Sequence, residues 1–220
     1  MTVQLTPPHR TIADLIRDLD GIPPHRIRLN PTPGTATEED CLRVTEKERP
    51  CELINGTLVE KTVGAPESFF AMAVGSRLSQ FTRTKRLGFV TGTDGLYRMI
   101  HGNIREPDVS FTVRERLPNP LPQIGGWCPD LCVEVLSTDN TKAEMERKRK
   151  EYFSSGCRIV WELNPRKRTA DVFTNPDSFT RVESGGALDG GDVLPGFTLP
   201  LAELFAEFDD YFPSESHDRA

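Results

Sequence analysis

The stretch PDLCVEVLSTDN, residues 129–140, decides the fold. It contains an apolar run typical of a β-strand, interrupted only by Glu134. The apolar members of the run are Leu131, Cys132, Val133, Val135 and Leu136. Alternate side chains of a strand share a face, so both faces are apolar and the strand is predicted to lie centrally in a covered sheet. A charged carboxylate in such a place needs a cation or several hydrogen-bond donors.

A second acid suggests what that cation is. The segment REPDVSF, residues 105–111, places Asp108 on another predicted strand. Two acids on neighbouring strands can converge on one hard cation, which prefers carboxylate oxygens. The competing interpretation puts Glu134 at the exposed end of its strand, paired with an arginine.

The segment after the apolar strand predicts a helix. Residues 137–156 contain a capping-box spacing at Thr141 and Glu144 and a stopping glycine at Gly156. Lys148 falls on the helical stripe that should face the sheet. It either extends its methylenes along the core with the ammonium in water, or returns the ammonium to the end of the strand. In the second case Glu144, one turn earlier, could orient it.

The rest of the chain predicts an α/β domain with a mixed central sheet flanked by helices and an added β-hairpin. Asn55-Gly56 is a strong hairpin turn, and a helix is expected over residues 66–86. Residues 1–36 are rich in proline and are expected to form an N-terminal arm with one short helix. The main domain then covers residues 37–207, with a C-terminal helix at about 199–207 and a flexible tail over 208–220.

Four segments follow one another along the chain: ELINGTLVEK, EPDVSF, PDLCVEVLS and KRKEYFSSGCRIVWELNP. In this order they resemble the motifs of the Uma-type putative restriction endonuclease family, within the PD-(D/E)XK nuclease superfamily. The likeness runs from about Thr37 to Phe205 and implies a restriction-endonuclease-like core. One position departs from the superfamily pattern. The lysine expected two residues after the second acid is replaced by Leu136, and Lys148 on the following helix takes its place.

The resemblance also implies a site and a reaction. Asp108, Glu134 and the carbonyl of Val135 would bind Mg²⁺, for which Mn²⁺ can substitute. Lys148 would position the attacking water, and Glu52 would complete the catalytic set. The implied activity is metal-dependent hydrolysis of DNA, for which a homodimer presenting two sites would explain double-strand cutting. The alternative is a catalytically inactive nuclease fold that binds nucleic acid or a protein partner.

The charge pattern points to a local rather than a global basic surface. The formal net charge is −6, which argues against binding nucleic acid by bulk attraction. Basic residues nevertheless cluster in two segments, which are interpreted either as solvated helix faces or as phosphate contacts. The candidates for nucleic-acid binding are Arg83, Lys85, Arg86, Lys142, Arg147, Arg149 and Lys150.

Five cysteines, an odd number, are expected to be free thiols. A zinc site is disfavoured, because Cys128 and Cys132 have no second pair of ligands nearby in sequence. A cysteine-nucleophile enzyme based on Cys132 is a third possibility, but no histidine is close in sequence. Neither a membrane span nor a signal peptide is predicted, so a cytoplasmic protein is expected.

Overall fold

The computed structural model describes residues 11–62 and 64–212. The helices are α1 (Ile12–Asp18), α2 (Glu38–Lys47), α3 (Ala65–Lys85), α4 (Lys142–Ser154) and α5 (Leu201–Tyr211). The strands are β1 (Cys51–Ile54), β2 (Thr57–Glu60), β3 (Gly88–Thr91), β4 (Tyr97–Arg98), β5 (Ile104–Arg105), β6 (Val109–Val113), β7 (Leu131–Val135), β8 (Ile159–Asn164), β9 (Thr169–Phe173), β10 (Phe179–Val182), β11 (Ala187–Asp189) and β12 (Thr198–Pro200).

The apolar strand β7 lies inside a six-stranded sheet of order β10-β9-β8-β7-β6-β3. It pairs parallel with β8 and antiparallel with β6, and the remaining pairs of this sheet are antiparallel. The parallel pair is connected through α4, as a parallel crossover requires. All five residues of β7 are buried. The predicted mixed sheet with helices around a central apolar strand is therefore confirmed.

The two faces of the sheet are covered by different helices. Val133 and its same-face neighbours Leu131 and Val135 belong to a large core that also contains buried residues of α3 and α5. Cys132 points the other way, into a smaller cluster with Tyr152 of α4. Glu134 shares the face of Cys132, so it lies beneath α4.

A second sheet, of order β2-β1-β5-β4, stands beside the first. Its hairpin turns at Asn55 and Gly56, which both have positive φ as a tight two-residue turn requires. The chain passes from β5 to β6, and so from one sheet to the other, through Glu106, Pro107 and Asp108. Proline has no N–H to give to a strand ladder, which separates these strands.

The N-terminal arm packs on a small apolar cluster of its own. Leu15, Leu19, Ile22 and Ile27 of the arm contact β1 and β2 at Ile54 and Val59. Arg26 is buried and forms two hydrogen bonds with Glu144 of α4, at 3.0 and 2.8 Å. The arm is thus fixed to α4 by a buried ion pair.

Two details differ from the sequence predictions. Asp108 lies directly before β6 rather than within it. Helix α5 extends to Tyr211, so residues 208–211 are helical rather than part of the predicted tail, and Phe208 stacks on Phe70.

Residues 1–10 and 213–220 lie outside the described part of the chain. Among the described helices, none has the length and apolar character needed to cross a membrane.

Candidate active site

The four predicted catalytic residues meet where the two sheets adjoin. Glu52 comes from β1, Asp108 from the β5–β6 connection and Glu134 from β7. Val109 pairs with Val133, so the residues next to this pair, Asp108 and Glu134, lie alongside each other. The fourth residue, Lys148, reaches down from the buried face of α4.

Lys148 is buried between two of the acids. Its Nζ lies 3.0 Å from Glu134 Oε2 and 3.0 Å from Glu52 Oε1. The side chain is only 3% exposed, so the ammonium does not extend into water. Tyr152, one turn later on the same stripe, donates its hydroxyl to Glu134 Oε1 at 2.5 Å. Both oxygens of Glu134 therefore accept hydrogen bonds from α4.

Asp108 has a separate lysine partner, Lys61, which follows β2. Lys61 Nζ donates to Asp108 Oδ1 at 2.8 Å and to the carbonyl of Glu106 at 2.6 Å. The other carboxylate oxygen of Asp108 accepts from the amide of Val135 at 2.7 Å. Val135, predicted as a ligand through its carbonyl, is thus placed beside Asp108 through its N–H.

Glu52 is held on its other side by Arg105 of β5. Arg105 donates to Glu52 at 2.8 Å through Nη1 and to Glu151 of α4 at 2.6 Å through Nε. The guanidinium is fully buried, so these charge-assisted bonds are shielded from water. Glu52 Oε1 also accepts from the backbone amide of Glu106, at 3.3 Å. These contacts fix the carboxylate that faces Lys148.

Glu106 is a buried acid whose two carboxylate oxygens have no hydrogen-bond partner among the described residues. It is 0% exposed. Burial raises the pKa of Glu106 to about 8, against the opposing effect of Lys61 and with the help of Glu52. At neutral pH it is therefore mostly protonated. An unpartnered buried carboxyl is expensive, which marks this position as unusual.

The surrounding charges shift the other acids in opposite directions. Burial raises the pKa of Glu134 to about 7, although Lys148 acts to lower it. Burial would also raise the pKa of Glu52, but Lys148 and Arg105 outweigh it and hold that pKa below its ordinary value. The pKa of Lys148 is raised by Glu134 and Glu52 in spite of burial. Lys148 is consequently charged throughout the physiological range.

An open cleft of about 460 Å³ leads to this network. Lys61 and Asp108 line it, together with Gly64, Ala65 and Ser68 at the beginning of α3. Gly64, the residue before α3, has no side chain to cap the helix, and helix N-termini favour anions. An anionic ligand in the cleft would therefore meet Asp108 and Lys61 first, with Lys148 behind them.

The donor set suits a hard divalent cation with few protein ligands. Asp108 and Glu134 offer carboxylate oxygens, and Glu106 adds a carboxyl with no protein partner. Among residues 11–62 and 64–212, no three acids bring their oxygens within 4.8 Å of one another. Mg²⁺ commonly binds through one or two carboxylates and keeps several waters, so this arrangement fits it.

The predicted nucleic-acid residues divide into three groups. Arg83, Lys85 and Arg86 lie at the end of α3 remote from the cleft, about 30 Å along the helix. Arg147 is paired with Glu151 and Asp20, and Lys150 with Glu146. Lys142 and Arg149 line a groove of about 570 Å³ that begins at Leu136, directly after β7, and also contains Arg166 and Lys167. This groove reaches the end of the strand that carries Glu134, and Arg149 is paired there with Glu162 at 2.6 Å.

One further expectation is corrected, and the structure also opposes the cysteine-nucleophile alternative that the sequence disfavours. Glu144 does not orient Lys148, because its oxygens accept from Arg26 and from the backbone of Thr141, which it caps. Cys132 is fully buried, and burial raises the pKa of its thiol well above the ordinary value. A thiol that resists ionising is a poor nucleophile.

Sequence reasoning missed Lys61, Arg105, Glu106 and Tyr152. Lys61 and Glu106 lie inside the quoted motifs ELINGTLVEK and EPDVSF, but nothing in their spacing distinguishes them from surface charges. Tyr152 follows Lys148 by four residues, and this helical spacing is the available signal for its contact with Glu134. Arg105 belongs to a two-residue strand, too short to show a pattern.

Comparisons with known proteins agree with this fold. The family model described as Uma2, putative restriction endonuclease, matches residues 38–202. The solved structures that match include a putative nuclease belonging to DUF820 from Anabaena variabilis, with a TM-score of 0.69 and 18% sequence identity. The match covers 77% of this chain and 97% of that chain. No curated protein matches the chain. Since the family model spans most of the sequence, the chain belongs to the Uma2 family of putative restriction endonucleases.

Proposed function

We propose that this chain is a metal-dependent endonuclease that hydrolyses phosphodiester bonds of DNA. The observation that carries the proposal is the Lys148 ammonium, buried 3.0 Å from both Glu134 and Glu52. Perturbed, buried ionisable groups beside an open cleft are typical of catalytic sites. Membership of a putative restriction endonuclease family supports the same reaction class.

Asp108 and Glu134 would hold Mg²⁺ or Mn²⁺. When bound, such an ion supplies Lewis-acid polarisation of a phosphate oxygen and lowers the pKa of water. The nearby Glu106 carboxyl has no hydrogen-bond partner among the described residues. It is therefore available to contact the water shell of a bound ion. The amide of Val135 fixes Asp108 from the protein side.

Lys148 is the residue proposed to act by electrostatic catalysis. It remains protonated, so Nζ can donate a hydrogen bond to the attacking water or to charge that develops on the phosphate. Glu52, which is itself fixed by Arg105, holds the ammonium in position together with Glu134. Lys61, which lines the cleft and touches Asp108, adds a second positive charge where the phosphate would approach.

A second function, a nuclease fold that binds nucleic acid or a protein without cutting, is favoured by one observation. Both oxygens of Asp108 and both oxygens of Glu134 already accept hydrogen bonds from protein groups. The acids are therefore neutralised without a metal. Leu136, in place of the superfamily lysine, points in the same direction.

A cleavage assay distinguishes the two functions. The purified chain is incubated with supercoiled plasmid and with single-stranded DNA in Mg²⁺, in Mn²⁺ or in EDTA. We expect cutting in the divalent metals only, and a loss of roughly 100-fold or more in Asp108→Asn, since electrostatic groups of this kind are worth 10²–10³ in rate.

The matched control is Glu39→Gln, which removes an exposed acid of α2 distant from the cleft. Its activity should equal that of the parent chain. Equal activity in Asp108→Asn would contradict the proposed site. DNA binding that persists in EDTA, with no cleavage in either metal, would establish the binding module instead.

A further inference from the structure

We propose that Cys128, Cys132 and Cys157 form a binding site for one soft, thiophilic metal ion, of the class of Cu⁺ or Zn²⁺. The three Sγ atoms all lie within 4.8 Å of one another. They come from different places: the loop before β7, the strand itself, and the loop between α4 and β8. Sequence spacing disfavoured a metal here because it could not bring Cys157 to the other two.

The separation of the sulfur atoms suits a single ion. Metal–sulfur bonds of about 2.3 Å place the sulfurs of a three-thiolate site about 4 Å apart. The observed cluster spans no more than 4.8 Å, so a shift of under an ångström would close it on an ion. A disulfide would use only two of the three thiols.

The ligands are all soft, and their surroundings are dry. The three cysteines are 1%, 0% and 5% exposed and pack with Tyr97, Tyr152, Val160 and Phe173. Thiolates select Cu⁺ and Zn²⁺, whereas Mg²⁺ prefers oxygen. The cysteine cluster and the acidic site on the same strand would therefore take different metals.

A positive charge stands next to the cluster. Arg116 donates to the carbonyl of Cys128 at 2.9 Å and to Asp130 Oδ1 at 2.8 Å. Binding releases three thiol protons and leaves a complex with a net negative charge, two for Cu⁺ and one for Zn²⁺. The guanidinium, although paired with Asp130, would offset part of that charge.

The site would join loops that the fold otherwise holds by weak bonds. The Cys157 thiol donates to the backbone carbonyls of Ile159 at 3.1 Å and Asp130 at 3.6 Å, and its other polar neighbours are the thiols of Cys128 and Cys132. A bound ion would link the loop before β7 to the loop before β8. It should therefore raise the melting temperature, because an ion that binds only the folded chain stabilises it.

The test uses the full chain, reduced and stripped of metal, with Cd²⁺ as a redox-inert probe. We expect one equivalent of Cd²⁺ to bind, a sulfur-to-metal charge-transfer band, and a higher melting temperature. X-ray absorption should show a first shell of three sulfurs. Parallel titrations with Zn²⁺ and with Cu⁺ under anaerobic conditions then identify the preferred ion.

Variants locate the site. Cys157→Ser should weaken Cd²⁺ binding by more than about 100-fold, since loss of an outer-sphere partner alone costs 10–100-fold. Cys41→Ser is the control, because Cys41 is equally buried but lies in another cluster. No Cd²⁺ binding by the folded parent chain, a shell without three sulfurs, or binding unchanged in Cys157→Ser would each overturn the proposal. The absorption measurement stands even if a variant fails to fold.

Discussion

Lys148 is the residue on which the acidic site depends for its charge balance. It neutralises Glu134 and Glu52, both of which are almost fully buried. Lys148→Met should lower the free energy of unfolding by about 3–5 kcal/mol, because it leaves the buried Glu134 carboxylate without a cationic partner and Glu52 with Arg105 alone. Urea denaturation measures the loss.

The double variant Lys148→Met/Glu134→Gln separates pairing from packing. This double variant also removes the Glu134 charge that the single variant Lys148→Met leaves unpaired. Its loss of unfolding free energy should therefore be smaller than the sum of the two single losses, by about 1–3 kcal/mol. Lys47→Met, an exposed lysine of α2, should change stability by less than about 0.5 kcal/mol. Strict additivity would show that the ion pair contributes nothing.

Glu106 makes stability depend on pH in a defined direction. Its pKa is about 8 in the folded chain against an ordinary value of 4.5. Between these values the unfolded chain has lost the proton that the folded chain keeps, so stability falls as pH rises and levels off above about pH 8. Glu106→Gln cannot ionise and should escape this loss. In EDTA, the variant should gain several kcal/mol on the parent chain across that window, at about 1.4 kcal/mol per pKa unit.

The check is a series of urea denaturations from pH 4 to pH 9 on both proteins, with Glu39→Gln as the exposed control. The difference in unfolding free energy between the parent chain and Glu106→Gln should grow with pH, whereas the control difference should stay flat. If the unfolding free energies of the parent chain and of Glu106→Gln changed in parallel with pH, the Glu106 carboxyl of the parent chain would ionise normally.

The residues of the site differed in how far the sequence predicted them. Lys148 and Tyr152 were accessible because the helical period of α4 places them on its buried stripe. Lys61 was not, because a single lysine after a strand has no period to distinguish it from a surface residue. Glu106 shows the same limit, since its burial results from the joining of two sheets.

Helix α4 is the element that links the arm to the site. It carries Lys148 over Glu134 and, one turn earlier, receives Arg26 of the arm on Glu144. Arg26→Ala should lower the free energy of unfolding by about 3–5 kcal/mol, because Glu144 is left buried and unpaired. The control Arg17→Ala breaks an exposed pair with Asp14 and should cost less than about 1 kcal/mol.

Urea denaturation with limited proteolysis tests this link. Cleavage within the arm should become faster in Arg26→Ala than in Arg17→Ala. Equal stability of the two variants would show that the arm is held by its apolar cluster alone.

Elements with strong local signals were predicted well. The Asn55-Gly56 turn and the Thr141 capping box both appear where the sequence places them. Strands β4 and β5 have two residues each, too few to show alternation. Helix α5 continued past residue 207 because its aromatic residues pack against α3, a tertiary contact that local patterns do not encode.

The whole molecule is acidic, so any DNA contact must be local. Lys142 and Lys167 are exposed on the groove that begins at Leu136. Within the described part of the chain, neither forms a salt bridge with an acid. If DNA lies in this groove, Lys142→Ala and Lys167→Ala should each reduce the slope of log K against log salt by about 1. Lys47→Ala should leave the slope unchanged. Fluorescence anisotropy of labelled DNA over a salt series measures it, and unchanged slopes in both groove variants would exclude the groove.

The apolar strand and the order of motifs predicted the fold class, but not the joining of two sheets. The convergence of Glu52 with Glu134 depends on β1 and β7 belonging to adjoining sheets. Such long-range packing has no local sequence signal. The cysteine cluster was hidden for the same reason, since Cys157 reaches Cys132 only through the parallel pairing of β7 with β8.

The central claim, that Asp108 and Glu134 hold a catalytic metal beside Lys148, is tested most directly by a crystal structure of the chain soaked in Mn²⁺. We predict an anomalous peak within about 2–2.5 Å of an oxygen of each acid. Lys148 Nζ should lie within about hydrogen-bond distance of the peak, or be linked to it through one bridging water. The claim would be contradicted by a soak at saturating Mn²⁺ that gives no peak at these acids. A Lys148 ammonium turned into bulk solvent would also contradict it.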